Sequence, residues 1–456
     1  MPFADVATKE LPLRRLLRLS LFQVSVGMAM VLLNATLNRV MVVELGMPTS
    51  LVALMVALPL VFAPLRALIG HRSDYHRSAF GLRRAPYIWF GSMLQFGGFA
   101  FMPFALNLLP EETQWMHLLG MASASVAFLL VGAGLHTTQT AGLALATDLA
   151  PDDVRPRVVA LLYVTLLVGM FCSSLLFGQL LSDFSPERLI QVIQGVAVAT
   201  ILLNVAALWK QEAIDMKRVE TPEERPRFRE AWDRFAQGGR SSRLLVAVGL
   251  GTAGFTMQDI LLEPYGGQIL GLSVAQTTLL TAIWALGSLG AYALSARFLA
   301  RGGDPHRLAA GGVVLGVLAF GSVIGSGALD WGWLFRIGAG LIGFGGGLFA
   351  VGTLTAAMGL AEDGHSGFAL GAWGAVQATA TGVATLMGGS LRDLFGGNFG
   401  HLALGAAANS PAAGYDLVYT LEVMLLLATL PAIVPLALKP LPRRPAQSRI
   451  GLDQMP

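Results

Sequence analysis

The sequence predicts an all-α integral membrane protein of about twelve transmembrane helices arranged as two pseudo-symmetric six-helix halves, and three observations carry that expectation. Of the 456 residues, 54% are hydrophobic and only 13% charged, too few polar groups to coat a soluble globule. Apolar runs of roughly 20 residues, the length that crosses a hydrocarbon core, recur along the whole chain. Short strings also repeat between the halves. Asp74-Tyr75-His76-Arg77 and Asp304-Pro305-His306-Arg307 each follow the second long apolar run of their half. Leu45-Gly46-Met47-Pro48-Thr49-Ser50-Leu51 and Leu270-Gly271-Leu272-Ser273-Val274 open the runs before them, and Ser182-Asp183-Phe184 and Arg392-Asp393-Leu394 fall at similar places.

In chain order, the first half offers spans near 19–45, 49–70, 87–109, 117–147, 158–181 and 188–209. The second offers 244–270, 274–300, 307–328, 333–360, 367–395 and 416–438. The domain organisation expected is therefore a bundle over 1–209, a cytoplasmic linker over 210–243, and a second bundle with a short tail over 244–456. Residues 210–243 form the one long charged stretch, with Pro222, Pro226, Gly238 and Gly239 interrupting any helical pattern. Within it, Phe228, Trp232 and Phe235 recur at i, i+4 and i+7 beside Arg227, Arg229 and Arg234, as in a short amphipathic helix lying on headgroups. The tail from Pro440 has the composition of a disordered segment.

The basic residues fix the expected orientation. Segments 1–18, 71–86, 148–157, 210–243, 297–307 and 439–456 contain 26 of the 31 lysines and arginines, and cytoplasmic loops retain positive charge, so both termini are expected in the cytoplasm. The same distribution explains the basic pI of about 9.2 and argues against nucleic-acid binding, which needs a basic face on one soluble domain. The lone Cys172 excludes an intramolecular disulfide and any cysteine-based metal cluster. The run after Arg18 is too long for the apolar core of a signal peptide and is expected to remain as the first helix.

The loop from Gly70-His71-Arg72-Ser73-Asp74 to Gly81-Leu82-Arg83-Arg84 resembles the signature between helices two and three of the major facilitator transporters, although its glycine-arginine part arrives several residues late. That resemblance implies a fold of two parallel repeats about an axis along the membrane normal. An aspartate at a helix end facing arginines can act as a charge-paired latch on one access state; Asp74, Arg77, Arg83, Arg84, Asp304 and Arg307 are the candidates. The alternative for the same residues is positive-inside charge with helix capping.

Ionisable groups inside spans are costly and mark candidate sites. Asp259 and Glu263 are four apart on one face of the seventh span, and Pro264 with Gly266-Gly267 is expected to break the helix just beyond. Arg39 sits at a similar depth in the first span, so an Arg39–Glu263 ion pair between halves is one expectation and substrate contact another. Glu44 lies about 140° round a regular helix from Arg39 and is the weaker partner. His136 is the one histidine well inside a span, with Gln139 and Thr140 three and four residues on, so the three can face one cavity. A neutral imidazole there is either an axial ligand for a magnesium macrocycle or a buried histidine satisfied by a neighbouring helix. The other histidines, His71, His76, His117, His306, His365 and His401, form no metal-ligand spacing, and no hydrolytic, redox or phosphate-binding motif is visible. Glycines such as Gly343, Gly345, Gly346 and Gly347 suit close helix packing.

Several longer strings resemble the PucC/LhaA family of purple phototrophic bacteria over nearly the whole chain. They are Leu21-Phe22-Gln23-Val24-Ser25-Val26-Gly27-Met28, Thr36-Leu37-Asn38-Arg39-Val40-Met41, Arg66-Ala67-Leu68-Ile69-Gly70, Pro86-Tyr87-Ile88-Trp89 and Leu94-Gln95-Phe96-Gly97-Gly98. Gln139-Thr140-Ala141-Gly142-Leu143-Ala144-Leu145-Ala146 and Gln258-Asp259-Ile260-Leu261-Leu262-Glu263-Pro264-Tyr265-Gly266-Gly267 belong with them. The resemblance implies a non-enzymatic assembly factor for light-harvesting antenna complexes in the intracytoplasmic photosynthetic membrane, part of the bacterial inner membrane. Such a protein delivers bacteriochlorophyll to newly inserted antenna polypeptides or holds them during ring assembly, beside pigment-synthesis and membrane-insertion proteins. Bacteriochlorophyll is then cargo rather than catalytic cofactor. Two other readings stay open: a proton-coupled alternating-access transporter of a small solute using Asp259 and Glu263, and a structural chaperone without a pigment site.

Overall fold

In the computed structural model, the structure describes residues 12–58, 82, 84–110, 113–151, 154–212, 239–359, 366–396 and 410–438. The expected linker, apart from its two ends, and the expected amphipathic helix and tail lie outside these residues, as do Asp74, Arg77 and Arg83.

The described chain is all-helical. The first half comprises α1 (Leu13–Glu44), α2 (Thr49–Ala57), α3 (Ala85–Leu108), α4 (Gln114–Leu149), α5 (Arg155–Leu180) and α6 (Pro186–Leu208). In the second half, α7 runs in three pieces, Gly239–Thr256, Met257–Ile260 and Leu262–Gln268. It is followed by α8 (Val274–Ala300), α9 (Pro305–Ala328), α10 (Gly332–Gly359), α11 (Ser366–Gly396) and α12 (Ala413–Leu438). Among the described residues, ten of these are long and apolar enough to cross a bilayer. Two of the twelve expected spans fall short of that standard for different reasons. The second expected span runs past α2 beyond the described residues, whereas α11, at 31 residues, is long enough but is made more polar by Gln377, Thr379, Thr381, Arg392, Asp393 and its glycines.

The repeat seen in the sequence is also a repeat of backbone. Gly46 (φ 63°) lies in the connection from α1 to α2, and Gly271 (φ 61°) lies in the matching connection from α7 to α8; both adopt the left-handed conformation that a side chain disfavours. Packing repeats as well. α1 packs on α5 and α6 as α7 packs on α11 and α12, and α3 packs on α4 and α6 as α9 packs on α10 and α12. The tightest pair in each half uses glycine. A Cβ on Gly134 of α4 would meet Gly91 O and, at 2.7 Å, Gln95 N of α3; one on Gly345 of α10 would meet Gly312 O at 2.8 Å and Gly316 N at 3.1 Å of α9. Without a hydrophobic drive between helices in lipid, such backbone approach is what dispersion requires.

Polar contacts then tie helices together. In the first half Ser25 Oγ donates to Asn204 Oδ1 (2.8 Å) and Asn204 Nδ2 to Ser92 Oγ (2.8 Å), joining α1, α6 and α3. Between halves, α5 packs on α8 and α2 on α11, a pairing that is itself symmetric. The cross-half hydrogen bonds gather towards the end with arginine-poor loops: Thr36 and Thr278 hydroxyls meet at 3.2 Å, Asn38 Nδ2 donates to Ile260 O (3.1 Å), and Asp393 Oδ2 accepts from Ser50 N (2.6 Å).

Candidate functional site

The first helix of each half is irregular, and the irregularity positions its polar residues. In α1 the segments Val31–Leu37 and Val40–Glu44 are π-helical. The i→i+5 bonding of a π-helix brings residues five apart onto one face. Arg39 therefore pairs with Glu44, and not with Glu263, which corrects the regular-helix expectation that these two diverge. The contact between halves survives in another form: Arg39 Nη2 donates to Leu272 O at 3.0 Å, and its guanidinium lies against Gly267, where a Cβ would come within 3.1 Å of it. Arg39 is 4% exposed, and its guanidinium is held by one carboxylate and one carbonyl, with Nε left without a hydrogen-bond partner among the described residues.

In α7 the regular helix ends at Thr256, a 3-10 turn covers Met257–Ile260, and α-helix resumes at Leu262. The interruption comes one turn before the place read from the sequence. Pro264 and Gly266-Gly267 lie within the resumed helix, where a proline in the first turn removes no needed N–H. The Ile260 carbonyl at the interruption is taken by Asn38 of the other half. Asp259, half-buried, accepts from the Gln258 side-chain amide, and Glu263, 6% exposed, accepts from Thr281 Oγ1 at 3.1 Å. Glu422 of α12, fully buried, accepts from Gln258 N at 2.7 Å. Asp259 is within electrostatic range of both glutamates. The three carboxyls thus converge on the interruption, and their hydrogen bonds come from an amide, a hydroxyl and a backbone N–H.

Beside the interruption runs an apolar cavity of about 530 Å³ between α7, α11 and α12. Gly249, Ala253 and Met257 form one wall, Thr379, Ala380 and Val383 are on the facing wall, and Leu425 closes the side. Thr379 is the one polar side chain in the lining. The α11 wall is open: none of residues 373–383 is buried, and Val383 is 53% exposed. At its end the cavity stops where α7 meets α11, since a Cβ on Gly388 would lie 2.7 Å from Met257 O. None of the residues singled out in the sequence lines this cavity. The signal that points to it is compositional, the run Ala375 to Ala384 of small side chains in the least apolar of the long helices.

His136 and Gln139 are buried in α4 and Thr140 is half-buried. They lie across the helix from the face formed by Gly134 and Thr138, where Thr138 Oγ1 accepts from Gln95 Nε2 of α3 at 3.0 Å. They sit in the other half from the cavity, so the histidine and the apolar wall are not brought together. Of the latch residues, Arg84 Nε bonds Asp148 Oδ2 at 3.0 Å, and Glu212 accepts from Arg84 N (2.9 Å) and Ala85 N (2.8 Å) at the start of α3. Arg15 clasps Gln211 through Oε1 (3.1 Å) and O (2.6 Å), so the arginine-rich ends of α1, α3, α4 and α6 are locked within one half. Asp304 caps α9, accepting from His306 N (2.8 Å) and Arg307 N (3.0 Å), while the Arg307 side chain is exposed.

Helix order, the two packing repeats and the interrupted α1 and α7 define a multi-pass membrane protein with the major facilitator fold. Solved transporters share it: a bacterial homologue of the human lysosomal transporter Spinster in an inward-facing, unoccupied conformation has a TM-score of 0.63 at 14% identity, covering 92% of this chain and 95% of that one. A peptide-transporter-family protein in complex with 5-aminolevulinic acid has a TM-score of 0.67 at 15% identity, covering 92% and 96%. Sequence is more specific than shape here: the PUCC protein family model matches residues 36–440, and the chain belongs to that family. It is 56% identical to "Protein PucC" of Rhodovulum sulfidophilum, covering 86% of this chain and 88% of that one. An "Uncharacterized protein in puhA-bchM intergenic region" of Rhodobacter capsulatus is 52% identical over 100% and 97%. A "Bacteriochlorophyll synthase 44.5 kDa chain" of the same species is 29% identical over 83% and 87%.

Proposed function

We propose that this protein is an assembly factor for light-harvesting antenna complexes that carries bacteriochlorophyll, or a pigment-loaded antenna polypeptide, on its apolar cavity, without performing covalent chemistry. Membership of the PucC family and the pigment-related names of its relatives support the setting, the photosynthetic inner membrane. The cavity between α7, α11 and α12 carries the reading. Its lining offers a single hydroxyl, so a polar solute would lose its water there with little in return, whereas a flat apolar macrocycle or its hydrocarbon tail gains dispersion contacts along the alanine and glycine wall. On this reading His136 is a packed core histidine, and Thr379 is the hydroxyl that orients the cargo.

The cross-half contacts near the arginine-poor end, together with the carboxyls at the α7 interruption, favour a second reading, alternating access by a proton-coupled carrier of a small solute. One experiment separates the two. The protein is purified in mild detergent from pigment-replete cells of a purple phototrophic bacterium, and extracted bacteriochlorophyll per chain is measured with the antenna polypeptides that travel with it. Pigment near one per chain, lost in Ala380→Trp but kept in His136→Leu, is the expected result. Antenna polypeptide without pigment of its own points to a chaperone lacking the site. Neither pigment nor antenna overturns the proposal in favour of the small-solute carrier.

A further inference from the structure

We infer that Glu422 is the centre of an exchangeable-proton site in the second half, and that proton occupancy there sets the geometry of the α7 interruption beside the apolar cavity. The inference holds whatever the cargo is.

The face of α12 that carries Tyr415, Tyr419, Glu422 and Leu426 is fully buried. Glu422 uses one oxygen to hold the Gln258 N–H inside the 3-10 turn. Its other oxygen, Oε2, has no hydrogen-bond partner among the described residues, and neither has the Tyr419 hydroxyl one turn earlier. Two unsatisfied polar groups with no exposure, three residues apart on one buried face, are an expensive arrangement unless something small binds them.

The surroundings say what that is. From α7, Asp259 lies near Glu422, and Glu263 and Tyr265 lie near Tyr419. From α12 itself Tyr415 faces Tyr419, with their rings both edge-on to Tyr265 at 5.4 Å. From α11, Arg392 stacks on the Tyr415 ring at 4.7 Å but spends its hydrogen bonds on Asp393 and Gln268. From α9, Ser326 and Phe320 contribute no charge, and from α8, Thr281 serves Glu263. The described carboxyls, histidines and cysteines form no group spaced to hold a metal ion. Buried carboxyls gathered round Asp259, whose hydrogen bonds among the described residues come only from neutral donors, are compatible with burial when a proton is held among them.

The chemistry is a simple transfer. A proton delivered from water forms an O–H bond on Glu422 Oε2, and the carboxylate loses its charge one helical turn from the Tyr419 hydroxyl. On release the charge returns and strengthens the Gln258 N–H bond to Oε1, since bonds to ionised acceptors are about twice as strong as neutral ones. Met257 and Leu425, one residue before Gln258 and three after Glu422, both line the cavity. A change at the bond is therefore delivered to the cavity wall.

Infrared spectroscopy on the full-length protein in nanodiscs tests the site. The wild type is expected to show a protonated-carboxyl band that disappears as pH rises and exchanges in D2O. Glu422→Gln removes that band, and Asp259→Asn or Tyr419→Phe moves its titration midpoint. Spin labels at Val246→Cys and Leu394→Cys in a Cys172→Ser background should report a pH-dependent distance that becomes fixed in Glu422→Gln. A band or a titration unchanged in Glu422→Gln overturns the inference. Should that variant not accumulate, unchanged midpoints in both Asp259→Asn and Tyr419→Phe overturn it equally.

Discussion

α1 and α7 occupy equivalent places in the two halves and both lose α-helical regularity ahead of the left-handed Gly46 and Gly271, yet they settle their buried charge in opposite ways. In α1 a π-helical stretch swings Glu44 round to Arg39, and the pair closes on itself with a carbonyl of the other half. In α7 a 3-10 turn gathers Asp259 and Glu263 beside Glu422 and supplies only neutral donors. A repeated fold can thus carry a helix defect in both halves and put it to different uses. One copy fastens the halves together, and the other holds groups whose charge can change.

The largest effect should come from breaking what the halves share. Gly134→Leu and Gly345→Leu each force a side chain into a neighbouring backbone, and overpacking of that kind costs about 3 kcal/mol at the upper end of its usual range. Both variants are expected to lose most of their accumulation in the membrane, to similar extents, as quantified by immunoblot. A large loss in one and none in the other would show that the two glycine seams are not equivalent.

The next effect separates α1 from α7. Arg39→Gln leaves the Leu272 carbonyl and Glu44 short of a partner and should destabilise by about 2 kcal/mol, with the Arg39→Gln, Glu44→Gln double variant recovering part of it. Glu263→Gln keeps size and the contact to Thr281 and removes no cation partner, so its loss should stay below about 1 kcal/mol. Unfolding titrations in a denaturing detergent measure both; equal losses would mean that the carboxyl in α7 is as structurally committed as the arginine in α1.

Much of this was legible in the sequence, and the parts that were not were hidden for different reasons. Span positions followed from apolar length, and the two left-handed glycines were visible as the repeated Leu-Gly pair before α2 and α8. The Arg39–Glu44 pair was hidden because angular arithmetic assumes a regular helix, and nothing in Val31 to Glu44 announces i→i+5 bonding. Glu422 is also an ionisable residue in an apolar run, but Asp259 and Glu263 share one helix whereas its approach to them is long-range and has no spacing to read. The cavity was missed for the opposite reason: its wall is made of alanine, glycine and valine, which carry no chemistry to single out.

The smallest effect bears on the string that reveals the duplication. Asp304 was a latch candidate, and in the structure it accepts the first N–H groups of α9 while Arg307 points to the surface. A cap and a latch respond differently to removal of charge alone. Asparagine caps helices as well as aspartate, so Asp304→Asn should be near neutral in unfolding titrations, whereas Asp304→Ala should lose about 1 kcal/mol. A latch would reverse the sensitivity: Asp304→Asn would abolish the charge pairing and shift the spacing of labels across the two halves as much as Asp304→Ala does. A shift in Asp304→Asn without loss of stability would therefore transfer Asp304 from the fold, where its hydrogen bonds place it, to the conformational cycle.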